Sequence, residues 1–227
     1  MKFFAENQKV EKELEWVMKK VRLHMNGATT GQMEQGGVHY RINYGVGIPH
    51  LKELAGQLPV SYELAERLWF LEIRETMLLA ALRVPAEDMT AARCKEWAVK
   101  IVNTDLIERT ALFLWARLPI VDKLLPEWLK GNNHYLKATA YYTIGRLMQR
   151  GSSTHYNSAE LIASLDKENA LVVYKGLSFA LRMNMRQQKG DVAVIKNFAE
   201  ELRKDNDHHK QLIAQELISE LAMLDDL

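Results

Sequence analysis

In the stretch VNTDLIERTALFLW, residues 102–115, two carboxylates stand at the head of an apolar helical run. Asp105 and Glu108 have the spacing of a capping box, with Asp105 as N-cap and Glu108 reaching back to the backbone. Asp105 also precedes Arg109 by four residues, a favourable pair on a helix surface. Both readings give Asp105 a structural role. Glu108 keeps two alternatives. It shares a stripe with Ala111, Leu112 and Trp115, so either it is half-buried in helix packing, or it opens into a groove and faces a substrate as a catalytic carboxylate.

Other routes to catalysis find little support. The glycine-rich stretch from Gly27 to Gly47 contains no GxxxxGK[ST] phosphate loop, and no Ser or Cys stands at motif spacing from a His. No group of His, Cys, Asp and Glu has metal-ligand spacing: DNDHH at 205–209 reads as a polar turn, and His134 as a capping or surface residue. Neither a metal nor a cofactor is expected. The lone Cys94, in AARCKEWAV, reads as a buried small hydrophobe; it cannot form an internal disulfide, which suits a reducing cytoplasm.

A second set of residues suits phosphate. Lys175, Phe179, Arg182 and Arg186 stand at i, i+4, i+7 and i+11, so they share one helix face. Such a face is either an amphipathic edge with Phe179 partly in the core, or a stripe that tracks phosphates while its aromatic touches a sugar or base. The preceding long helix carries His134, Lys137 and Tyr141 at i, i+3 and i+7, with Arg146 and Arg150 near its end. Charge is distributed to match. Residues 130–190 hold nine Lys and Arg against three Asp and Glu, and residues 200–227 hold eight acidic against three basic. A formal net charge of +1 therefore conceals a basic segment and an acidic tail.

The elements that must position these residues are helical. Apolar residues recur with helical period along nearly all of the 227-residue chain, with no sustained strand alternation. The spacing predicts about twelve helices joined by short polar turns, with the stretch 26–47 the least regular. Pro49 fits a first helical turn. Trp16, Trp69, Trp97, Trp115 and Trp128 all fall in apolar helical patterns and are expected in the core. So many helices exceed what one bundle core can bury, which favours a curved stack of helical pairs over a compact bundle. At 48% hydrophobic and 26% charged, the composition is that of a soluble protein. The start turns polar after four residues, too soon for a signal peptide, and no apolar run is long enough to span a bilayer. A cytoplasmic monomer with no membrane contact is expected.

Three segments carry a family resemblance: YGVGIPHLKELA at Tyr44–Ala55, AERLWFLEIRETMLLAALRV, and KGLSFALR at Lys175–Arg182. In this order they resemble the DNA alkylation repair family of HEAT-like repeat proteins, from about residue 40 to 200. The resemblance implies an all-α fold, a right-handed α-α superhelix of HEAT-like repeats. It implies one domain over 1–227: an N-terminal helix and loop at 1–39, the family core at 40–203, and an acidic C-terminal helix at 204–227. The implied partner is duplex DNA, alkylated in the active members, which are glycosylases that release N3- and N7-alkylated purines. A carboxylate there stabilises the cation developing on the sugar and positions a water.

The chain departs from that pattern at the carboxylate helix. Active members begin it Trp-Asp-x-x-Asp, with the Trp and second Asp at the lesion; here it reads Thr104-Asp105-Leu106-Ile107-Glu108. The family's Trp before Ala-Leu-Arg is Phe179, Arg182 is retained, and the phosphate-gripping Arg of the preceding helix matches Lys137. The DNA-contacting set expected is thus Lys137, Tyr141, Lys175, Phe179, Arg182 and Arg186, with Glu108 as the catalytic candidate. Three functions remain open: a glycosylase with a substituted site, a relative that binds DNA without cutting it, and a helical-repeat scaffold for a protein partner.

Overall fold

Short polar side chains placed just ahead of apolar runs start most of the helices. The computed structural model describes residues 4, 6–152, 154–166, 168–187 and 191–225, with Asp225 described by its backbone alone. The chain divides into two compact units, residues 1–120 and 121–227. The first holds α1 (Gln8–Leu23), α2 (Gly27–Gln35), α3 (Ile48–Gln57), α4 (Tyr62–Phe70), α5 (Arg74–Arg83), α6 (Ala91–Ala98) and α7 (Thr104–Phe113). The second holds α8 (Val121–Lys130), α9 (His134–Gln149), α10 (Ser158–Ala163), α11 (Leu171–Arg186), α12 (Val192–Arg203) and α13 (His208–Asp225). All described regular structure is helical, apart from one isolated parallel bridge between Ile42 and Ile73. Among the described residues no helix is long and apolar enough to cross a membrane.

In the first unit, α5 is buried on every side. Its run from Arg74 to Ala81 is withdrawn from solvent, and α3, α4 and α7 pack around it. Trp69 of α4 and Trp97 of α6 stack with ring centroids 4.7 Å apart and planes 7° apart. They anchor the core expected of them, as does the buried Trp115, whereas Trp16 is half-buried. Cys94 is buried too, and burial pushes its thiol up to about 11, so it stays protonated at neutral pH. Part of the stretch read as irregular forms α2, capped by Asn26.

The remainder of that stretch is an ordered strap. Asn26 donates its backbone N–H to Tyr44 O at 2.8 Å, and Arg74 donates its own to Ile42 O at 3.0 Å. Gly45 makes this crossing possible. Its φ is +69°, and a Cβ there would lie 2.1 Å from Asn26 O and 2.7 Å from Thr30 Oγ1.

In the second unit, α9 and α11 pack against each other most extensively, with α8 against α9 and α13 against both α11 and α12. A capping box lies here: Asn157 Oδ1 accepts from Glu160 N at 2.9 Å, and Glu160 Oε2 accepts from Asn157 N at 3.2 Å. Asp205 Oδ1 accepts from Asp207 N at 2.9 Å, so DNDHH includes a polar turn before α13, as expected.

Gly45→Ala is expected to destabilise the first unit by more than about 3 kcal/mol, since it combines a left-handed backbone with a main-chain clash. Gly31→Ala, in α2 with nothing within 4 Å of its added methyl, should be neutral or stabilising by roughly 0.5–1 kcal/mol. Denaturant midpoints of the two variants check both signs.

Candidate functional site

Asn103, rather than Asp105, caps α7. Its Oδ1 accepts from Leu106 N at 3.0 Å, while its Nδ2 donates to His39 O at 2.9 Å, tying the strap to the start of the helix. Asp105 therefore stands inside the first turn, and the box expected of Asp105 and Glu108 does not form at the cap position. Instead Asp105 turns inward. Arg74 Nε donates to its Oδ2 at 2.7 Å and Tyr40 donates its phenol to the same oxygen at 2.9 Å. The expected bond from Arg109 is present, Nε to Oδ1 at 3.2 Å, but the Asp105 side chain is only 10% exposed, so this is not a surface pair.

A buried ionic cluster continues from this point. Arg74 Nη1 donates to Val46 O at 3.0 Å and to Glu75 Oε1 at 3.2 Å; the Glu75 carboxylate also accepts from Val46 N and Tyr44 N, each at 3.1 Å. Burial works most strongly against the charge on Arg74, but the Asp105 carboxylate together with Tyr40 and Glu75 outweighs it, so the guanidinium holds its proton more firmly than usual. Burial first, then the neighbouring Asp105 charge, push the Tyr40 phenol well up, so it remains a donor. The sequence reading missed Arg74, Glu75, Tyr40 and Asn103. The available signal was a charged Arg-Glu pair running directly into the apolar MLLAAL.

With Asp105 fixed, the rest of α7 falls into register. Leu106, Ile107, Thr110 and Ala111 face the core, whereas Thr104, Glu108 and Leu112 follow at i, i+4 and i+8 and are all part exposed. Trp115 leaves this stripe, because the helix ends at Phe113; its Nε1 donates to Thr110 Oγ1 at 2.8 Å inside the core. Glu108 thus sits on the part-exposed side of α7, with the Thr104 position one turn before it.

In residues 121–227 the phosphate-binding set separates. Lys137 is 3% exposed, and its Nζ donates to Asp166 Oδ2 at 2.6 Å and to Ser164 O at 3.3 Å. Tyr141 is fully buried, and its hydroxyl lies 3.2 Å from Leu161 O and 2.7 Å from Ser164 Oγ. Both hold the 161–166 segment against α9 and are withdrawn from any surface, contrary to expectation. Spacing put them on one face correctly, but that face is covered by α10 and its following turn.

The α11 set does share an accessible face. Lys175 and Arg186 are exposed, Phe179 and Arg182 half-buried. Two members meet the acidic tail: Arg186 Nε and Nη2 grip the Glu220 carboxylate at 2.5 and 2.9 Å, and Arg182 Nη2 lies 3.9 Å from Glu216 Oε2. Arg182 Nε is buried with no hydrogen-bond partner. Phe179 stacks on Tyr142, centroids 5.3 Å apart, with the Arg146 guanidinium 4.6 Å from its ring centre. Among the described residues no three His, Cys, Asp or Glu side chains are grouped to hold a metal.

The family model for the DNA alkylation repair enzyme matches residues 17–188. The chain belongs to that family. A solved structure described as "a new family of proteins related to the HEAT-like repeat DNA glycosylases with affinity for branched DNA structures" is similar to it. The two share 15% identity over 90% of this chain and 94% of the other, with a TM-score of 0.71, which establishes the HEAT-like repeat fold. No curated protein matches the sequence. For this member of the DNA alkylation repair family, α7, α9 and α11 all lie inside the matched residues, whereas α13, which supplies Glu216 and Glu220, lies beyond them.

The two carboxylates of α7 should respond differently to neutralisation. Asp105→Asn leaves a buried guanidinium short of its main counter-charge and is expected to cost about 3 kcal/mol of stability; Glu108→Gln, part exposed and outside that buried cluster, should cost less. Thermal unfolding of the two variants makes the comparison. Acid should release α13. The Arg186 bond lowers the Glu220 pKa below the ordinary glutamate value, so its contribution is present above that value and lost as pH falls through the lowered one. Protection of α13 amides, corrected for intrinsic exchange, should therefore fall as pH drops below the ordinary glutamate range, and Glu220→Gln should remove most of that pH dependence.

Proposed function

We propose that this protein binds DNA at a local departure from regular duplex, through the face of α11 that carries Lys175, Phe179, Arg182 and Arg186. The observation that carries this reading is that continuous face: two exposed cations flank a half-buried aromatic and a half-buried arginine. Cations at that spacing suit phosphates, and the aromatic suits a sugar or base. Family membership supports a nucleic-acid partner. The described affinity of the solved relative for branched DNA supports a distorted rather than a regular target. Arg182 and Arg186 reach phosphate by exchanging Glu216 and Glu220 for it, one anion for another.

A second reading is hydrolytic release of N3- or N7-alkylated purines, with Glu108 as the carboxylate. It is favoured by the placement of Glu108 on the part-exposed stripe of α7, one turn beyond Thr104. In that reaction the C1′–N bond breaks, the electron pair leaves with the base, and Glu108 stabilises the sugar cation that water then captures. The resemblance places Thr104 where active members carry Trp and Glu108 where they carry Asp, and both replacements weigh towards binding without excision.

One experiment separates these readings. Purified protein is titrated with a four-way junction, an intact duplex and a methylated duplex over a salt series, and released bases are assayed. Junction binding that weakens steeply with salt, drops several-fold or more in Lys175→Glu, and is unaccompanied by base release is the expected result. Release of N3-methyladenine or N7-methylguanine that Glu108→Gln abolishes would establish the enzyme reading instead. Failure to bind any of the three at low salt overturns the nucleic-acid reading and leaves a scaffold for protein partners.

A further inference from the structure

Two guanidiniums one helical turn apart on α11 face two carboxylates one helical turn apart on α13. Arg186 Nε and Nη2 donate to the Glu220 carboxylate at 2.5 and 2.9 Å, a bidentate grip. One turn earlier, Arg182 Nη2 and Glu216 Oε2 stand 3.9 Å apart, beyond hydrogen-bond reach, and the buried Arg182 Nε has no hydrogen-bond partner. The two rows are in register, each arginine meeting the glutamate 34 residues on. Beside Arg182 lies a groove of about 430 Å³ whose α13 wall includes Glu216, Ser219 and Glu220. Apolar packing supplies most of what seats α13: Ile213, Ala214, Leu217 and Leu221 are buried, and the helix packs against both α11 and α12. A partly exposed ion pair adds to that seating without setting it. The helix that bears the carboxylates lies beyond the residues matched by the family model, whereas both arginines lie within them.

We propose that Glu216 and Glu220 are a built-in competitor for the DNA phosphates that Arg182 and Arg186 take, an autoinhibitory contact that sets the threshold for binding. This rests on the DNA-binding reading above and adds its regulation. Two carboxylates at i, i+4 present anionic groups in a row, as the phosphates of a strand do. Tethered on a packed helix, they act at high effective concentration and do not diffuse away. A single phosphate contact does not displace them. A strand that also meets Lys175, exposed on the same face of α11, offsets the loss through its further contacts. The Glu216 side chain is 56% exposed, and the groove beside Arg182 leaves room for it and an incoming phosphate to trade places. Arg186, gripped by both of its contacts to Glu220, is the harder of the two to release.

The test measures the affinity of the full-length protein for a four-way junction at neutral pH and one fixed low salt concentration. Glu220→Gln should tighten binding by about fivefold, the scale of one partly exposed ion pair. Glu216→Gln should tighten it by less, since its contact to Arg182 is longer. Glu201→Gln, the same change of charge at an exposed position of α12, should alter it little. Glu220→Gln should also gain less in an Arg186→Ala background than in the wild type, because no guanidinium remains there to be released. Unfolding midpoints verify that the variants remain folded. Equal gains in the two backgrounds mark a long-range charge effect and overturn the proposal. So does unchanged or weakened binding by folded Glu220→Gln and Glu216→Gln. Absence of junction binding by the wild-type protein overturns the DNA-binding reading itself, and this inference with it.

Discussion

Arg74 carries a positive charge into the middle of residues 1–120, and the surroundings are arranged to keep it there. Its side chain is 5% exposed, and a charge so desolvated is tolerated only with counter-charge and satisfied donors. Asp105 and Glu75 supply the charge, and Val46 O takes a further N–H. Each partner brings its own element. Asp105 brings α7, Glu75 anchors the strap through Tyr44 N and Val46 N, and Tyr40 adds a second bond from the strap to Asp105. The cluster thereby sets where α7 begins and which of its sides meets solvent. The place of Glu108 is a consequence of Arg74, though the two do not bond in that cluster.

This gives physical sense to two acidic residues three apart at the head of α7. Asp105 is spent on structure, and the residue one turn along is turned outward by the same helix register. A change at Asp105 that reduced function would therefore act through folding, whereas a change at Glu108 would act at the surface.

In residues 121–227 the basic surplus is spent unevenly. Lys137 is consumed by Asp166 and Ser164 in holding the turn after α10. Arg182 and Arg186 face Glu216 and Glu220, so the acidic tail covers part of the basic stripe. Only part of the formal charge of this segment is thus presented outward, and Lys175 is the least encumbered member of the α11 set. Local charge counts overstate a binding surface whenever the chain supplies its own anions.

The sequence by itself determined the elements and the family. Helical period and polar residues before apolar runs depend on residues within a few turns of one another, and with the order of three motifs they suffice for an all-α HEAT-like protein. It also determined that Lys175, Phe179, Arg182 and Arg186 share a face, since α11 runs unbroken through all four. Only the tertiary structure decided what covers each face. Arg74 meets Asp105 across 31 residues and Arg186 meets Glu220 across 34, and no local spacing encodes such meetings. The same holds for Lys137 and Tyr141, correctly spaced on α9 but buried by a segment more than a turn of sequence away. Burial and charge pairing are properties of neighbours in space, and a helix pattern specifies only which residues will share whatever neighbour arrives.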